Sequence, residues 1–342
     1  MNIIVLTGGV SSERNVSIVS SRAIAKGLRE TKHTVKVIDP IYGVNQPSEE
    51  VIFSSRPVIG KEFPTTAELK SYSNRKVIEC ISSDLFNNID IVFLGLHGKF
   101  GEDGRIQSLL EMRGVNYTGS PVTSSAMAMD KDISKIIFSH YGISTPKWFM
   151  VDKDSYSLNY VDQKINAYFE YPVVIKPNDE GSTVGLSIVQ PDVEDIQLSK
   201  ALGNAFEYSD KIMVEQYIGG RELTVAVLGD EALPVVEIKP KDGFYDYEHK
   251  YTSGKTEYFC PAELTEELSN ELRAKSLIAH SALGCKAYSR VDFRMNPENE
   301  YFCLEVNTLP GMTELSLVPK AASAVNISFP ELLNKIIELS LK

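Results

Sequence analysis

Short apolar runs alternate with helical periodicity at the start of the chain. Ile3-Ile4-Val5-Leu6 breaks at Gly8-Gly9, a helix is expected from about Ser17, and a second strand follows at Thr34-Val35-Lys36-Val37-Ile38. The near-continuous apolar run at residues 89–94 predicts a strand buried on both faces, as in a parallel sheet. These elements together read as an α/β unit. Residues 40–88 are mixed in charge, interrupted by Pro47, Pro57 and Pro64, and read as a poorly periodic insertion.

Beyond Gly119 the pattern changes. Helical stretches run from Val122 to Tyr141 and stop at Gly142. A strand over 171–177 leads through the polar loop Asn178–Gly185 to a short antiparallel return at 187–189. A helix is expected near 193–208, then a strand from Lys211 that leaves Glu215 in an extended linker. Next come a hairpin pairing 221–228 with 233–239 and a long loop over 244–255, rich in aromatics and charge. Thr265 opens a helix with Glu266 and Glu267 in its first turn, and a last amphipathic helix covers 330–341.

Between those two helices, strands at 287–295 and 301–307 flank Asn296-Pro297-Glu298-Asn299-Glu300 and predict a hairpin. The strand period puts Cys303, Glu305 and Asn307 on one face. A four-residue loop over Pro297–Glu300 sets Asp292 opposite Glu305 and Arg290 opposite Asn307. Carboxylates directly opposite across a ladder repel, so the pair calls for a divalent cation, a shared proton or a different register. All-oxygen ligands favour magnesium. The plainer alternative is a sheet in which one acid pairs with Arg290 or Arg294.

Composition narrows the class. The chain has 342 residues, a length that predicts two or three domains, with 43% hydrophobic and 24% charged residues. A formal net charge of −11 argues against a nucleic-acid partner and for a small substrate. Met1–Leu6 reads as a strand rather than a signal segment, and no apolar run approaches the ~20 residues of a membrane span. Cys80, Cys260, Cys285 and Cys303 have neither metal-ligand spacing nor the density of a disulfide framework, which fits a reducing cytoplasm. Gly8-Gly9-Val10-Ser11-Ser12-Glu13-Arg14 matches neither the dinucleotide fingerprint nor the phosphate-loop motif. Glu13 by default favours the positive end of a helix dipole. His97, set among four glycines at the end of a buried strand, marks a place where backbone can approach a ligand.

The blocks GGVSSER, LHGKFGEDG, MDK, VVIKPNDEGSTVG, MVEQYI, YDYEHKY, YFCPA, SRVDF and EVNTLPGMTELSLVP follow one another between residues 8 and 319. In content and order they resemble the ATP-grasp ligases and, within them, the D-alanine–D-alanine ligases. That resemblance implies an α/β N-terminal parallel-sheet domain (1–118), a central ATP-grasp subdomain (119–217) and a C-terminal catalytic domain (218–342). It implies two magnesium ions, with manganese as a possible substitute, on Asp292, Glu305 and Asn307. ATP would have Lys131 and Lys176 on its phosphates, Glu215 near the adenine, Glu222 on the ribose and Lys250 near the transferred phosphate.

The implied reaction joins two D-alanine molecules for a peptidoglycan precursor. A carboxylate is a poor acyl donor, so it must first be phosphorylated, and transfer to an anionic oxygen needs concentrated positive charge. By the same resemblance Arg290 and the Gly311 N–H stabilise the tetrahedral intermediate, and Glu13 holds the first ammonium with His97 nearby. Ser316 and Leu317 lie at the second amino acid. Ser182 and Tyr251 would tie the glycine loop and the 244–255 loop to Glu13 as a lid against water. D-serine or D-lactate as second substrate is the alternative, and Tyr251 argues against D-lactate, for which Phe is expected. A non-catalytic ATP-binding protein would lack a ligand or a lysine, and none is missing. Asn15, Asp179, Glu180 and residues 40–88 depart from the family pattern, and the family suggests a cytoplasmic homodimer.

Overall fold

The computed structural model describes residues 1–54, 66–191, 195–241, 256–314 and 316–342. Three sheets organise it. In the first, β1 (Asn2–Leu6) lies between β2 (Thr34–Ile38) and β3 (Ile91–Leu94), all parallel. Every residue of β3 is buried, as its unbroken apolar run requires. The helix Arg14–Glu30 packs on the C-terminal helix Phe329–Ser340 at Gly27, where a Cβ would come within 2.8 Å of Leu333, so the two ends of the chain meet through a residue with no side chain.

The expected insertion at 40–88 is, where described, a series of short helices: Glu49–Ser54, Thr66–Ser71 and Asn74–Ser82. Ile52, Phe53, Val77, Cys80 and Ile81 join the core of the first sheet. Helices of six to nine residues are too short for a 3.6-residue period to show in the sequence.

The second sheet is antiparallel, in the order β4 (Trp148–Asp152), β7 (Lys211–Gln216), β5 (Val173–Pro177), β6 (Ser187–Val189). The β5–β6 return is as expected, whereas β4 was not foreseen. Glu215 lies within β7, paired with Trp148 and Val174, rather than in a linker. The helical stretch over 122–141 divides into Val122–Met129 and Lys131–His140. Asp130 breaks it at ψ 103° and caps the second helix through the Ile133 N–H.

The third sheet runs β11 (Thr256–Phe259), β10 (Val236–Pro240), β8 (Arg221–Leu228), β12 (Tyr288–Met295), β13 (Tyr301–Asn307), with β9 (Glu231–Ala232) on β8. Asp292 faces Glu305 and Arg290 faces Asn307, as the pattern predicts. The route to that register differs. Met295 faces Tyr301, so the loop is one residue shorter, with Asn299 at φ 65° and the Asn296 N–H bonded to Glu300 O at 2.9 Å. A bulge at Leu304, between the Asp292–Glu305 and Phe293–Cys303 pairs, restores the offset. It also turns Glu305 away from the face of Cys303. Cys303 and Val306 are buried in the core, while Glu305 and Asn307 are partly exposed.

Candidate active site

At the end of the hairpin the expected repulsion is offset locally. Arg290 Nε and Nη2 donate to the two Asp292 carboxylate oxygens at 2.9 and 2.7 Å. Thr224 Oγ1 on β8 donates to Asp292 at 2.6 Å, and Asn307 Nδ2 does so at 3.0 Å. Glu305 lies 3.7 Å from Lys131 Nζ. The neighbouring Arg294 holds Glu222 at 3.2 Å. The salt-bridged sheet and the facing acids are therefore both present. The Asp292 and Glu305 side chains keep 16% and 25% exposure, enough for a ligand to reach their oxygens. Among the described residues no group of three or more His, Cys, Asp or Glu forms a metal site. The donor set here is two carboxylates plus the Asn307 amide, whose oxygen a half-turn would present.

Asp292 and Glu305 share one cleft with Lys131, Lys176, Glu215 and Glu222, roofed by Gly181–Val184. The Glu215 carboxylate sits between two ammonium groups, Lys135 at 2.5 Å and Lys176 at 2.7 Å. Burial pushes its pKa up, but the two lysines outweigh burial and hold it at about 2. The expectation placed Glu215 near an adenine; here its side chain is engaged by these lysines.

Lys135 has no solvent exposure and lies 4.9 Å from the centre of the Trp148 ring. Burial lowers its pKa to about 8 against the pull of Glu215. Sequence reasoning passed over Lys135. The available signal is its spacing: Lys131, Ser134, Lys135 and Phe138 form the buried stripe of their helix. Lys131 Nζ also donates to the Glu180 carbonyl at 2.5 Å, joining helix and glycine loop.

That loop is pinned to the first sheet's unit. The Ser182 hydroxyl donates to Glu13, and a Cβ on Gly181 would come within 2.7 Å of Glu13 Oε2. Ser182 and Thr183 both have left-handed backbone, φ 49° and 61°, a strained pair of the kind that persists where surroundings enforce it. Glu13 stands at the helix N-cap without a capping side-chain bond, so dipole capping does not account for where its carboxylate points. Lys99 binds Asp179 at 3.2 Å and Glu180 at 2.9 Å, and Ser12 donates to Glu180 at 3.2 Å. The two loop acids that depart from the family pattern thus serve as anchors.

His97 donates from Nδ1 to the Leu309 carbonyl at 2.8 Å, and its Nε2 lies 3.0 Å from Ser20 Oγ. Burial lowers its pKa to about 4, so the ring is neutral. Glu102, which the sequence reading left without a role, accepts from the Gly98 and Leu309 N–H groups. Ser316 Oγ accepts from the Thr313 N–H at 3.0 Å, and Leu317 begins the helix Leu317–Ser323, so Gly311, Ser316 and Leu317 stand on one short segment. Lys250 and Tyr251 lie outside the described residues.

Residues 2–120 match the family model of the D-ala D-ala ligase N-terminus, and residues 137–338 match that of the D-ala D-ala ligase C-terminus. The D-alanine–D-alanine ligase of Syntrophotalea carbinolica is 39% identical over 98% of this chain and 94% of that one. That of Aquifex aeolicus is 40% identical over 98% and 100%. The structure is similar to the Bacillus anthracis D-alanine–D-alanine ligase complexed with ATP, with TM-score 0.74 and 32% identity over 100% of this chain and 97% of that one. It is also similar to the VanG D-Ala:D-Ser ligase of Enterococcus faecalis, with TM-score 0.79 and 31% identity over 99% and 100%.

Proposed function

The chain belongs to the D-alanine–D-alanine ligase family, and on that premise we propose that its cleft uses ATP to join two D-alanine molecules through a D-alanyl phosphate. The observation that carries this reading is the convergence of Asp292, Glu305, Lys131 and Lys176 on one cleft whose glycine loop reaches Glu13.

Asp292, Glu305 and Asn307 suit a hard divalent cation, being oxygen donors that face one another at a partly open edge. Magnesium held there would neutralise phosphate oxygens during transfer. Lys131 and Lys176 stand on the same cleft to receive phosphates. Glu215, kept charged by Lys135, fixes the direction of the Lys176 ammonium, and Glu222 on the same wall offers a carboxylate to the ribose.

Glu13 lies in the first sheet's unit beneath the glycine loop, where an anion suits the ammonium of the first D-alanine. Phosphorylating that D-alanine's carboxylate makes phosphate the leaving group. The amine of the second D-alanine then attacks the acyl carbon, and the Gly311 N–H and Arg290 face the oxyanion that forms. Ser316 and Leu317 flank the second amino acid. The glycine loop, tied down by Ser182, Glu180 and Lys99, excludes water that would hydrolyse the acyl phosphate. The four free cysteines suit a cytoplasmic setting.

The test is direct. Protein supplied with ATP, magnesium and D-alanine should release phosphate and form a dipeptide of matching mass, and should do neither with L-alanine. No phosphate release with D-alanine overturns the reading. D-serine remains the competing second substrate because of the likeness to the D-Ala:D-Ser ligase. A panel of D-amino and D-hydroxy acids, with Tyr251→Phe expected to admit D-lactate, decides among them.

A further inference from the structure

Three side chains of the first sheet's unit hydrogen-bond the backbone of the turn after β13. The Leu309 N–H donates to Glu102 Oε1 at 3.1 Å, the Leu309 carbonyl accepts from His97 Nδ1 at 2.8 Å, and the Met312 N–H donates to Ser20 Oγ at 3.5 Å. Buried backbone groups need partners; here the partners come from 207, 212 and 292 residues away in sequence. The three side chains are themselves linked. Ser20 Oγ lies 3.0 Å from His97 Nε2, and the second Glu102 oxygen accepts the Gly98 N–H at 2.8 Å, beside His97. Because His97 Nδ1 faces a carbonyl oxygen, it carries the hydrogen. The neutral ring then leaves Nε2 to accept the Ser20 hydroxyl.

Both nitrogens of His97 are therefore committed to protein groups. Between the held residues stands Gly311. The same unit carries Glu13 beneath the glycine loop. We propose that Glu102, His97 and Ser20 are positioning residues that clamp the turn over Leu309–Met312 and so aim the Gly311 amide at the oxyanion relative to an amino acid held at Glu13. This rests on the ligation reading above. A sub-ångström placement of a backbone donor matters to the step in which the second amine attacks, and much less to the phosphoryl transfer before it, which the lysine side of the cleft serves.

The clamp predicts uncoupling. In full-length protein, Glu102→Gln puts an amide NH2 against one of the two N–H donors, and His97→Ala removes the donor to Leu309. In both, dipeptide turnover should fall by about tenfold to a hundredfold. The KM for ATP should change less than about twofold, and phosphate release should exceed dipeptide formed, because the waiting acyl phosphate meets water. His97→Asn keeps a donor at the Nδ1 position and should bring the phosphate-to-dipeptide ratio back towards one. Ser20→Ala should show a weaker form of the same uncoupling. A merely structural clamp would lower both products together with the ratio fixed at one, and that outcome in folded variants, or unchanged turnover, overturns the proposal. Wild-type protein that forms no dipeptide overturns instead the ligation reading on which it rests.

Discussion

Glu215 and Glu102 are the same residue type in enclosed settings, and their surroundings drive them in opposite directions. Burial raises the pKa of both. At Glu215 two lysines outweigh burial and hold the carboxyl at about 2. At Glu102 burial and the like charge of Glu13 prevail over two backbone N–H donors and Arg290, and the carboxyl rises to about 8. The difference separates two ways of building a polar site. On the lysine side charge is concentrated and fixed in sign. On the Glu13 side the carboxyl groups are held mainly by hydrogen-bond donors, and without a lysine to offset burial Glu102 keeps its proton near neutrality. A site that must attract phosphates at one end and an ammonium at the other needs that asymmetry.

The largest test of the charged side is Glu305→Gln. It removes one of two facing carboxylates, and turnover at modest magnesium should fall by about a thousandfold or more, with partial recovery as magnesium is raised. Near-normal turnover would mean that the opposed acids are only sheet salt bridges. Glu215→Gln probes the same side through stability. Lys135 has no exposure, and losing its counter-charge should cost roughly 3–5 kcal/mol in chemical denaturation. Adding Lys135→Met removes the stranded ammonium and should return most of that loss. A double variant no more stable than the single one would show that the pair is not what holds this region.

On the donor-held side the effects should be smaller. Ser182→Ala deletes the hydroxyl bonded to Glu13, and kcat/KM for D-alanine should fall by about tenfold to a hundredfold while stability changes by only ~1 kcal/mol. A fall in ATP affinity instead would assign Ser182 to the nucleotide rather than to the amino-acid lid.

How much of this was legible in the sequence follows the range of the interactions. The facing of Asp292 and Glu305 needs only strand period and a nearby turn, both local. The loop length and the Leu304 bulge were missed, and they cancel at those positions. The strand period alone therefore put Cys303 wrongly on the face of Glu305. The glycine loop stood out because polar residues interrupt an apolar run, whereas Lys131 and Lys176 were assigned through the family resemblance of the blocks that hold them. Lys135 did not, since lysines on helices are usually solvated; its burial depends on Glu215, 80 residues away. Glu102 and Ser20 act on a turn more than 200 residues distant, and no pattern within either segment announces that contact. The short helices within 40–88 failed for the opposite reason, having too few turns to display a period.

The finest test of the contrast is the pH dependence of stability. Glu102 has a folded pKa raised above the unfolded 4.5 to about 8. In between, the folded state keeps a proton that the unfolded state has released, so this contribution is complete below pH 4.5 and is lost as pH rises through about 8. Glu215 has the opposite sign: its contribution is present above 4.5 and fails only as pH falls towards 2, so it is constant near neutrality. His97 and His280, both lowered from 6.5 to about 4 by burial, weaken the fold on acidification through that range and are neutral above it. From pH 7 to 8 Glu102 should therefore lose about 1 kcal/mol of stability, while Lys135, lowered from 10.5 to about 8, gains a smaller amount over the same interval with the opposite sign. Glu102→Gln, which carries no charge at either pH, should abolish that loss, so that the urea midpoint rises relative to wild type across the interval under the remaining Lys135 contribution. Parallel slopes in variant and wild type would mean that the Leu309 and Gly98 amides hold Glu102 ionised, and that the two sides of the site differ less than their neighbours suggest.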